Sequence, residues 1–403
     1  MRIFITDSLK KLFFIDVDIN KFSIVKELLR YYDIPIELVI VRKNGEIVTE
    51  NVPITEDISL DIIRHLDLPK LSTLPVLRQK TKDSIYIKAV QKFDTNKNKI
   101  TIFERELNKK DFINLFENTF LDTIKKYDMI PKHQKIGVAL SGGKDSVSMA
   151  LIIGKYFKKL GNPDITTYTL EGWGQEQENT YRYAREIPVK FDFKHRVITT
   201  EEITKAFHLN KKYEKVFEEI VKTKKLTPNE KTLVLAQTQR RMVEITAAND
   251  GIYNLFFALN KVDLLSEVIL TYTTGHLAFS LPVRPVAPFT YYYPLAFLSK
   301  KEVAIYLNLA YPQYINQEPS QLVECGSQTA QFHIKFCDNL FEIWPGIEYE
   351  LFSAYKKITA YMKDKIVLSK CRNCGSTLVD ESNDTSKLMC GGCKIYKKLG
   401  FIK

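Results

Sequence analysis

Two groups of residues in this 403-residue chain have types and spacings that could do chemistry. The first is Ser141-Gly142-Gly143-Lys144-Asp145-Ser146, set between a short apolar run, Lys135–Leu140, and a helical run, Val147–Phe157. Glycines let a backbone turn tightly and come close to a ligand. The free N–H groups of a helix start, with the helix dipole, favour an anion. Ser141 and Ser146 add hydroxyl donors, and Lys144 adds a mobile positive charge. Such a loop is built to hold phosphate. The second group is Cys371-x-x-Cys374 and Cys390-x-x-Cys393, with fifteen residues between the two pairs. Each pair aims two sulfurs at one point, and four thiolates close a tetrahedral Zn2+ site. With no open position, that site is structural. Two further cysteines, Cys325 and Cys337, stand alone.

The elements around the loop read as an α/β unit. Lys135–Leu140 is a strand, Val147–Phe157 a helix, and Asp164–Leu170 and the residues around Arg196–Thr199 are further strands. Strand, helix, strand is the signature of a parallel sheet. Before them, Phe112, Leu115, Phe116, Phe120, Ile124 and Tyr127 recur at helical spacing and stop before Pro131, where a helix should end. The Lys/Glu run at 209–231 reads as a solvated helix or insertion.

Residues 1–68 form a separate unit. Arg2–Thr6, Leu12–Val17, Leu38–Val41 and Asp57–Ile63 read as strands, and Ser23–Tyr32 as a helix. Asn44-Gly45 between apolar runs marks a hairpin. Residues 69–100 are polar and weakly patterned, a linker with room for one strand. The main unit then spans 101–365, and 366–403 form a small Cys-rich unit.

Composition narrows the function classes. Hydrophobic residues make up 45% of the chain, which rules against wholesale disorder. A net charge of +11 favours a polyanionic partner, nucleic acid before membrane. No stretch approaches the roughly 20 apolar residues of a membrane span, and residues 1–20 do not read as a signal peptide. The expectation is a soluble cytoplasmic protein, in which clustered cysteines point to metal rather than disulfides.

The loop is not a Walker loop, because Asp145 follows the lysine and the glycine spacing differs. Ser-Gly-Gly-Lys-Asp-Ser resembles instead the PP-loop of the N-type ATP pyrophosphatases, which include tRNA thiolases, tRNA-lysidine synthetase and GMP synthetase. The resemblance implies that Ser141–Ser146 hold the pyrophosphate end of Mg2+-bound ATP, with Lys144 and Asp145 in catalytic roles. From about residue 103 to 360 the chain further resembles, in collinear patches, the tRNA 2-thiolation branch, the 2-thiocytidine and 2-thiouridine synthetases. The patches include Arg240-Arg241, Asn260 and Asp263, Ser299–Val303, and Glu324–Gln328 around Cys325. Residues 366–403 resemble the C-terminal zinc finger of the 2-thiouridine synthetases. Residues 1–68 resemble the ubiquitin-like β-grasp of small sulfur carriers, though no terminal Gly-Gly follows Ile63.

Departures from that branch bear on mechanism. The Cys-x-x-Cys pair of those enzymes falls here at Leu233 and Ala236, so of their three catalytic cysteines Cys325 alone is retained. Their 4Fe-4S cluster, which needs about four ligands or three with one iron left open, lacks its thiolates. A cluster-free route would carry sulfur on Cys325 as a persulfide. The expected fold is a parallel-sheet PP-loop core with an N-terminal β-grasp domain and a C-terminal four-cysteine zinc ribbon. The expected function is ATP-dependent 2-thiolation of a tRNA pyrimidine. The partners are tRNA and a sulfur donor, either a carrier protein or a persulfide, with a homodimer allowed. Two alternatives stay open: a lysidine-type enzyme with a non-sulfur nucleophile, and a tRNA-binding subunit that assists a catalytic thiolase. Cys325→Ser separates them. In a thiolase it abolishes formation of the 2-thio nucleoside, measured by mass spectrometry, while ATP and tRNA binding persist. In either alternative the same change is nearly silent.

Overall fold

A computed structural model of the chain describes residues 1–6, 12–63, 76–77, 100–102, 105–130, 135–161, 163–171, 178–274, 281–315, 335–337, 339–340, 344, 346–362, 368–379 and 388–403. In β1 (Arg2–Thr6) burial alternates, with Ile3 and Ile5 inward. β2 (Leu12–Asp16) pairs with it antiparallel. Helix α1 (Val25–Tyr31) lays Val25, Leu28 and Leu29 on the sheet. β3 (Val39–Lys43) and β4 (Glu46–Val48) form the hairpin expected at Asn44-Gly45, whose φ values are +53° and +83°. Positive φ at both turn positions is what a two-residue hairpin of this hand requires. β5 (Ile58–Ile62) lies parallel to β1, and β6 (Val76–Leu77) closes the order β4-β3-β5-β1-β2-β6.

This sheet packs against the main unit. β3 is buried along nearly its whole length, so both of its faces are covered. Val39 and Val41 belong to the unit's own core, whereas Ile40 and Ile47 join a cluster with Phe112, Phe116 and Tyr306. Arg42 bonds Asp61 at 2.6 Å and Asn308 at 3.1 Å, and Lys301 pairs with Glu50 at 3.0 Å across the same junction.

The main unit begins with the small hairpin β7 (Ile100–Ile102) and β8 (Arg105–Leu107). Helix α2 (Lys109–Lys126) follows, capped by Asn108, whose side chain accepts from the Asp111 N–H. Glu117 of α2 is buried but not unpaired, with Lys155 Nζ at 2.7 Å, Tyr156 OH at 2.5 Å and Tyr306 OH at 2.8 Å. Then come β9 (Lys135–Ala139), α3 (Lys144–Lys155), β10 (Asp164–Leu170), α4 (Glu178–Phe191) and β11 (Lys194–Ile198). α5 (Thr200–Ala206), α6 (Tyr213–Lys222) and α7 (Pro228–Asn249) follow. α6 turns Tyr213, Val216, Phe217 and Ile220 inward, so the Lys/Glu-rich stretch is solvated on its other face only. The chain returns through β12 (Asn254–Phe256), α8 (Lys261–Thr274), β13 (Val283–Val286), β14 (Phe289–Tyr292), α9 (Lys300–Ala310) and α10 (Ile347–Met362). β15 (Leu368–Lys370), β16 (Thr377–Val379) and α11 (Gly391–Lys398) complete it.

The second six-stranded sheet has the order β11-β10-β9-β12-β14-β13. Its first five strands are mutually parallel, and β13 pairs antiparallel at the edge. The α/β expectation with a parallel core is met. β9 sits centrally, and the chain moves outward from it in opposite directions, first to β10 and β11, later to β12 and β14. A Cβ on Gly137 of β9 would meet Leu255 at 2.8 Å and Tyr168 at 2.9 Å. Gly137→Val is therefore expected to destabilise the protein by about 1–3 kcal/mol through overpacking. Thermal unfolding by circular dichroism checks this, and an unchanged Tm would contradict it.

Candidate nucleotide site and cysteine centre

In open parallel sheets, ligands bind at the carboxyl ends of the strands where the strand order reverses. Here that point lies between β9 and β12, and Ser141–Ser146 occupy it. The backbone is tied into the sheet first: the Leu140 N–H donates to the Tyr168 carbonyl at 2.8 Å, and Thr169 Oγ1 donates to the Leu140 carbonyl at 2.7 Å. Gly142 then adopts φ +78°, the left-handed conformation that a side chain resists. Gly143 is the N-cap of α3, so the helix starts at Lys144, earlier than the apolar run at Val147 indicates. The Ser141 and Ser146 hydroxyls are 3.0 Å apart in a hydrogen bond, and Ser146 Oγ donates to the Gly143 carbonyl at 3.0 Å. Asp145 lies in the first helical turn, with Oδ1 buried and without a hydrogen-bond partner. The Lys144 ammonium reaches the Ile63 carbonyl, 3.5 Å away, at the end of the N-terminal sheet. The loop thus offers helix-start N–H groups, two hydroxyls, an ammonium and a buried carboxylate oxygen without a hydrogen-bond partner. That donor and acceptor set fits a polyphosphate accompanied by a cation.

Across the reversal point, the end of β12 leads to Asn260. Its Oδ1 accepts from the Val262 and Asp263 N–H groups at 3.2 and 3.3 Å, and its buried Nδ2 has no hydrogen-bond partner. Lys300 pairs with Asp263 at 2.7 Å and Lys261 with Glu348 at 3.4 Å, both lysines being buried. Burial alone would push the Lys261 ammonium down, but the Glu302, Glu348 and Glu37 carboxylates around it hold it up. Burial pushes the Glu302 carboxyl up despite Lys261. Sequence reasoning singled out Asn260 and Asp263 but missed this convergence of charges. Lys261, Lys300, Glu302, Glu348 and Glu37 come from four separated segments, and no local pattern links them.

The four C-terminal cysteines meet as expected. Their sulfurs all lie within 4.8 Å of one another and are buried. The Cys374 and Cys390 sulfurs are 3.7 Å apart, against about 3.8 Å for thiolates on a tetrahedral metal at roughly 2.3 Å. The N–H groups of Cys390 and Cys393 and the Asn373 amide donate to three of these sulfurs at 3.3–3.4 Å. Such donors suit thiolate charge, and the residues fit a metal ion. Hydrogen bonds from Cys374, Cys390 and Cys393 push the Cys371 thiol down, while Cys371 and the other two push Cys393 up.

This centre is fastened to α7. The Gly392 N–H donates to Gln237 Oε1 at 2.5 Å, and Arg241 Nε donates to the Cys374 carbonyl at 2.7 Å. Arg241 also pairs with Glu244 at 2.8 Å, and Glu244 accepts from the Tyr291 hydroxyl. Leu233 touches Gly391 yet stays 42% exposed, at the edge of the helix face on which Val234, Gln237 and Arg241 meet the cysteine unit. Cys337 is buried in the main core as an apolar side chain. Cys325 lies outside the described residues.

No protein-family model matches the chain. A curated protein of Methanocaldococcus jannaschii described as a "probable sulfurtransferase" is 23% identical over 259 residues, which is 62% of this chain and 72% of that protein. The structure of the U34-tRNA thiolase NcsA from Methanococcus maripaludis, described with its 4Fe-4S cluster, superposes with a TM-score of 0.56. It is 19% identical and covers 76% of this chain and 95% of that one. The core has the PP-loop fold. Within that fold the loop, Asn260–Asp263 and the start of α9 share one end of the sheet. Among the described residues, no helix is long and apolar enough to cross a membrane.

Because metal binding and folding are coupled in so small a unit, Cys371→Ser is expected to release the metal and uncover α7. Elemental analysis together with thermal unfolding tests this. The expected result is loss of stoichiometric metal and a Tm lowered by more than about 5 °C. Unchanged metal content and Tm would show that the four sulfurs hold nothing.

Proposed function

We propose that this protein is an ATP-dependent tRNA-modifying enzyme that replaces the C2 oxygen of a pyrimidine with sulfur. The observation that carries the reading is the Ser141–Ser146 loop at the sheet's reversal point, with a buried Asp145 carboxylate oxygen that has no hydrogen-bond partner. The sulfurtransferase relative and the likeness to a tRNA thiolase support the choice of reaction. The loop binds the pyrophosphate end of ATP, and Mg2+ accompanies the nucleotide. Lys144 leaves the Ile63 carbonyl for the phosphates and offsets charge on the leaving group. Adenylation of the C2 oxygen releases pyrophosphate, and sulfur then displaces AMP.

Cys325 carries the sulfur as a persulfide in this proposal, received by exchange from another persulfide. Its outer sulfur attacks C2 as AMP leaves. A second thiol then cleaves the S–S bond to Cys325, freeing the 2-thio base and leaving a disulfide that an external thiol reductant returns to thiols. The cysteine centre holds one structural Zn2+ and takes no part in the reaction. An N-terminal β-grasp domain serves in docking or substrate binding, and the +11 charge of the chain suits a tRNA partner. The thiolase neighbour is described with an iron–sulfur cluster, whereas in this chain the positions that resemble the Cys-x-x-Cys of the 2-thiolation branch carry Leu233 and Ala236. The absent thiols at Leu233 and Ala236 favour the alternatives, a non-sulfur nucleophile or a tRNA-binding subunit, while the intact Ser141–Ser146 loop and the retained Cys325 favour thiolation.

Pyrophosphate release from ATP in the presence of tRNA tests the assignment. Lys144→Ala is expected to lower the rate about a hundredfold. Unchanged turnover would remove the loop from the chemistry. Metal analysis after anaerobic purification is expected to find one zinc per chain. About four irons with broad absorption near 400 nm would instead put a cluster on these cysteines.

A further inference from the structure

Away from the phosphate loop and the cysteine centre, three aromatic rings are piled face to face. They are Tyr127 just after α2, Phe297 between β14 and α9, and Tyr349 in the first turn of α10. The Phe297 centroid lies 6.0 Å from Tyr127 and 4.6 Å from Tyr349, with interplanar angles of 17° and 10°. Phe297 is buried in the middle of the pile, and Tyr349 at its end is 45% exposed. The Lys126 ammonium runs along the side, 5.6, 5.9 and 5.8 Å from the three centroids. An open cavity of about 520 Å³ fronts the pile, with Lys125, Lys126, Phe297 and Tyr349 in its lining and Asp122 as its acidic member.

Its position ties it to the candidate site. Phe297 lies directly before Leu298, whose carbonyl accepts from the Lys261 N–H at 2.9 Å, and before Ser299, the N-cap of α9. Tyr349 follows Glu348, the partner of Lys261. The pile therefore stands on the buried charges that close the end of β12, at the same end of the sheet as Ser141–Ser146.

We propose that this pocket binds an unpaired RNA nucleotide, its base stacking on the outer face of Tyr349 and its flanking phosphates meeting Lys125 and Lys126. The inference rests on the proposed function and names the surface that would hold its substrate. The chemistry follows from the rings and their charge. A base adds a fourth plane to an existing stack, and every base has a π-face, so the contact is tolerant of sequence. Tyr349 is already held by Phe297, so little ordering cost accompanies binding. The two lysines suit a phosphodiester backbone, and the openness of the pocket lets a strand enter and leave.

The test is fluorescence anisotropy at fixed ionic strength, with the full-length protein and two probes, fluorescein-labelled oligouridine and total tRNA. Tyr349→Ala is expected to weaken oligouridine binding about tenfold, and Tyr349→Phe, which keeps the ring, to stay within about twofold of wild type. Lys125→Glu with Lys126→Glu should weaken binding and flatten its salt dependence. ATP affinity should be unchanged in every variant, which reports an intact fold. Duplex RNA of the same length should compete poorly. Wild-type affinity in Tyr349→Ala, an equal loss in Tyr349→Phe, or equal competition by duplex would overturn the site while leaving the proposed reaction standing. Failure of the wild-type protein to bind either probe would overturn both.

Discussion

Strand β9 is held on both edges by parallel neighbours and on one face by Leu255 and Tyr168, which leave no room for a Cβ at Gly137. The phosphate loop inherits its position from that grip. Leu140 is pinned to β10 through the Tyr168 carbonyl and the Thr169 hydroxyl, so the chain turns at Gly142 from a fixed origin. A loop placed this way needs no ligand to shape it, and the helix-start N–H groups are aimed before an anion arrives. Small errors in β9 would be transmitted directly to Lys144 and Asp145.

The buried charges around the end of β12 serve a related purpose at greater cost. Lys261 and Lys300 are both buried, and withdrawing the Lys261 ammonium from water would disfavour its charged form unless carboxylates compensated. Asp263, Glu302 and Glu348 do so, and Glu37 of the N-terminal unit reaches the same region. Arg42 and Lys301 strengthen that attachment at a second place. The N-terminal sheet is thus bound to the main unit by apolar packing and by charges whose partners lie on the other side of the junction. Removing one member would strand another in a poorly solvated place, which makes the junction specific as well as adhesive.

Much of this was legible in the sequence because the signals were local. Asn44-Gly45, the strand–loop–helix run around Ser141–Ser146, and the two Cys-x-x-Cys pairs each lie within a few residues, and each takes the geometry its residues demand. The helix that follows the loop was misjudged by three residues, because its start is set by Gly143 as a cap and not by the apolar run. Strand β12 escaped notice for a different reason. At three residues it is too short to show alternation, and its identity comes from pairing with β9 and β14. The same limit hid Ile63 beside Lys144, and the pile of Tyr127, Phe297 and Tyr349. These contacts join segments far apart in the chain, and only the folded sheet brings them together. Leu233 was noted for a thiol that is missing. Its actual neighbour, Gly391, is visible only in three dimensions.

The covering of α7 by the cysteine unit also has a consequence in time. The helix face with Leu233, Gln237 and Arg241 leaves the ribosome well before Gly391 and Gly392, by on the order of ten seconds at ordinary rates of synthesis. During that interval Val234, Leu235 and the Arg241–Glu244 pair have no lid, and with a metal on the four cysteines the lid would close only once their thiolates had found it. Metal supply would then govern how long a nascent chain shows this surface to chaperones and proteases. Yield of folded protein in a metal-starved cell should fall for that kinetic reason, even where the finished molecule is stable.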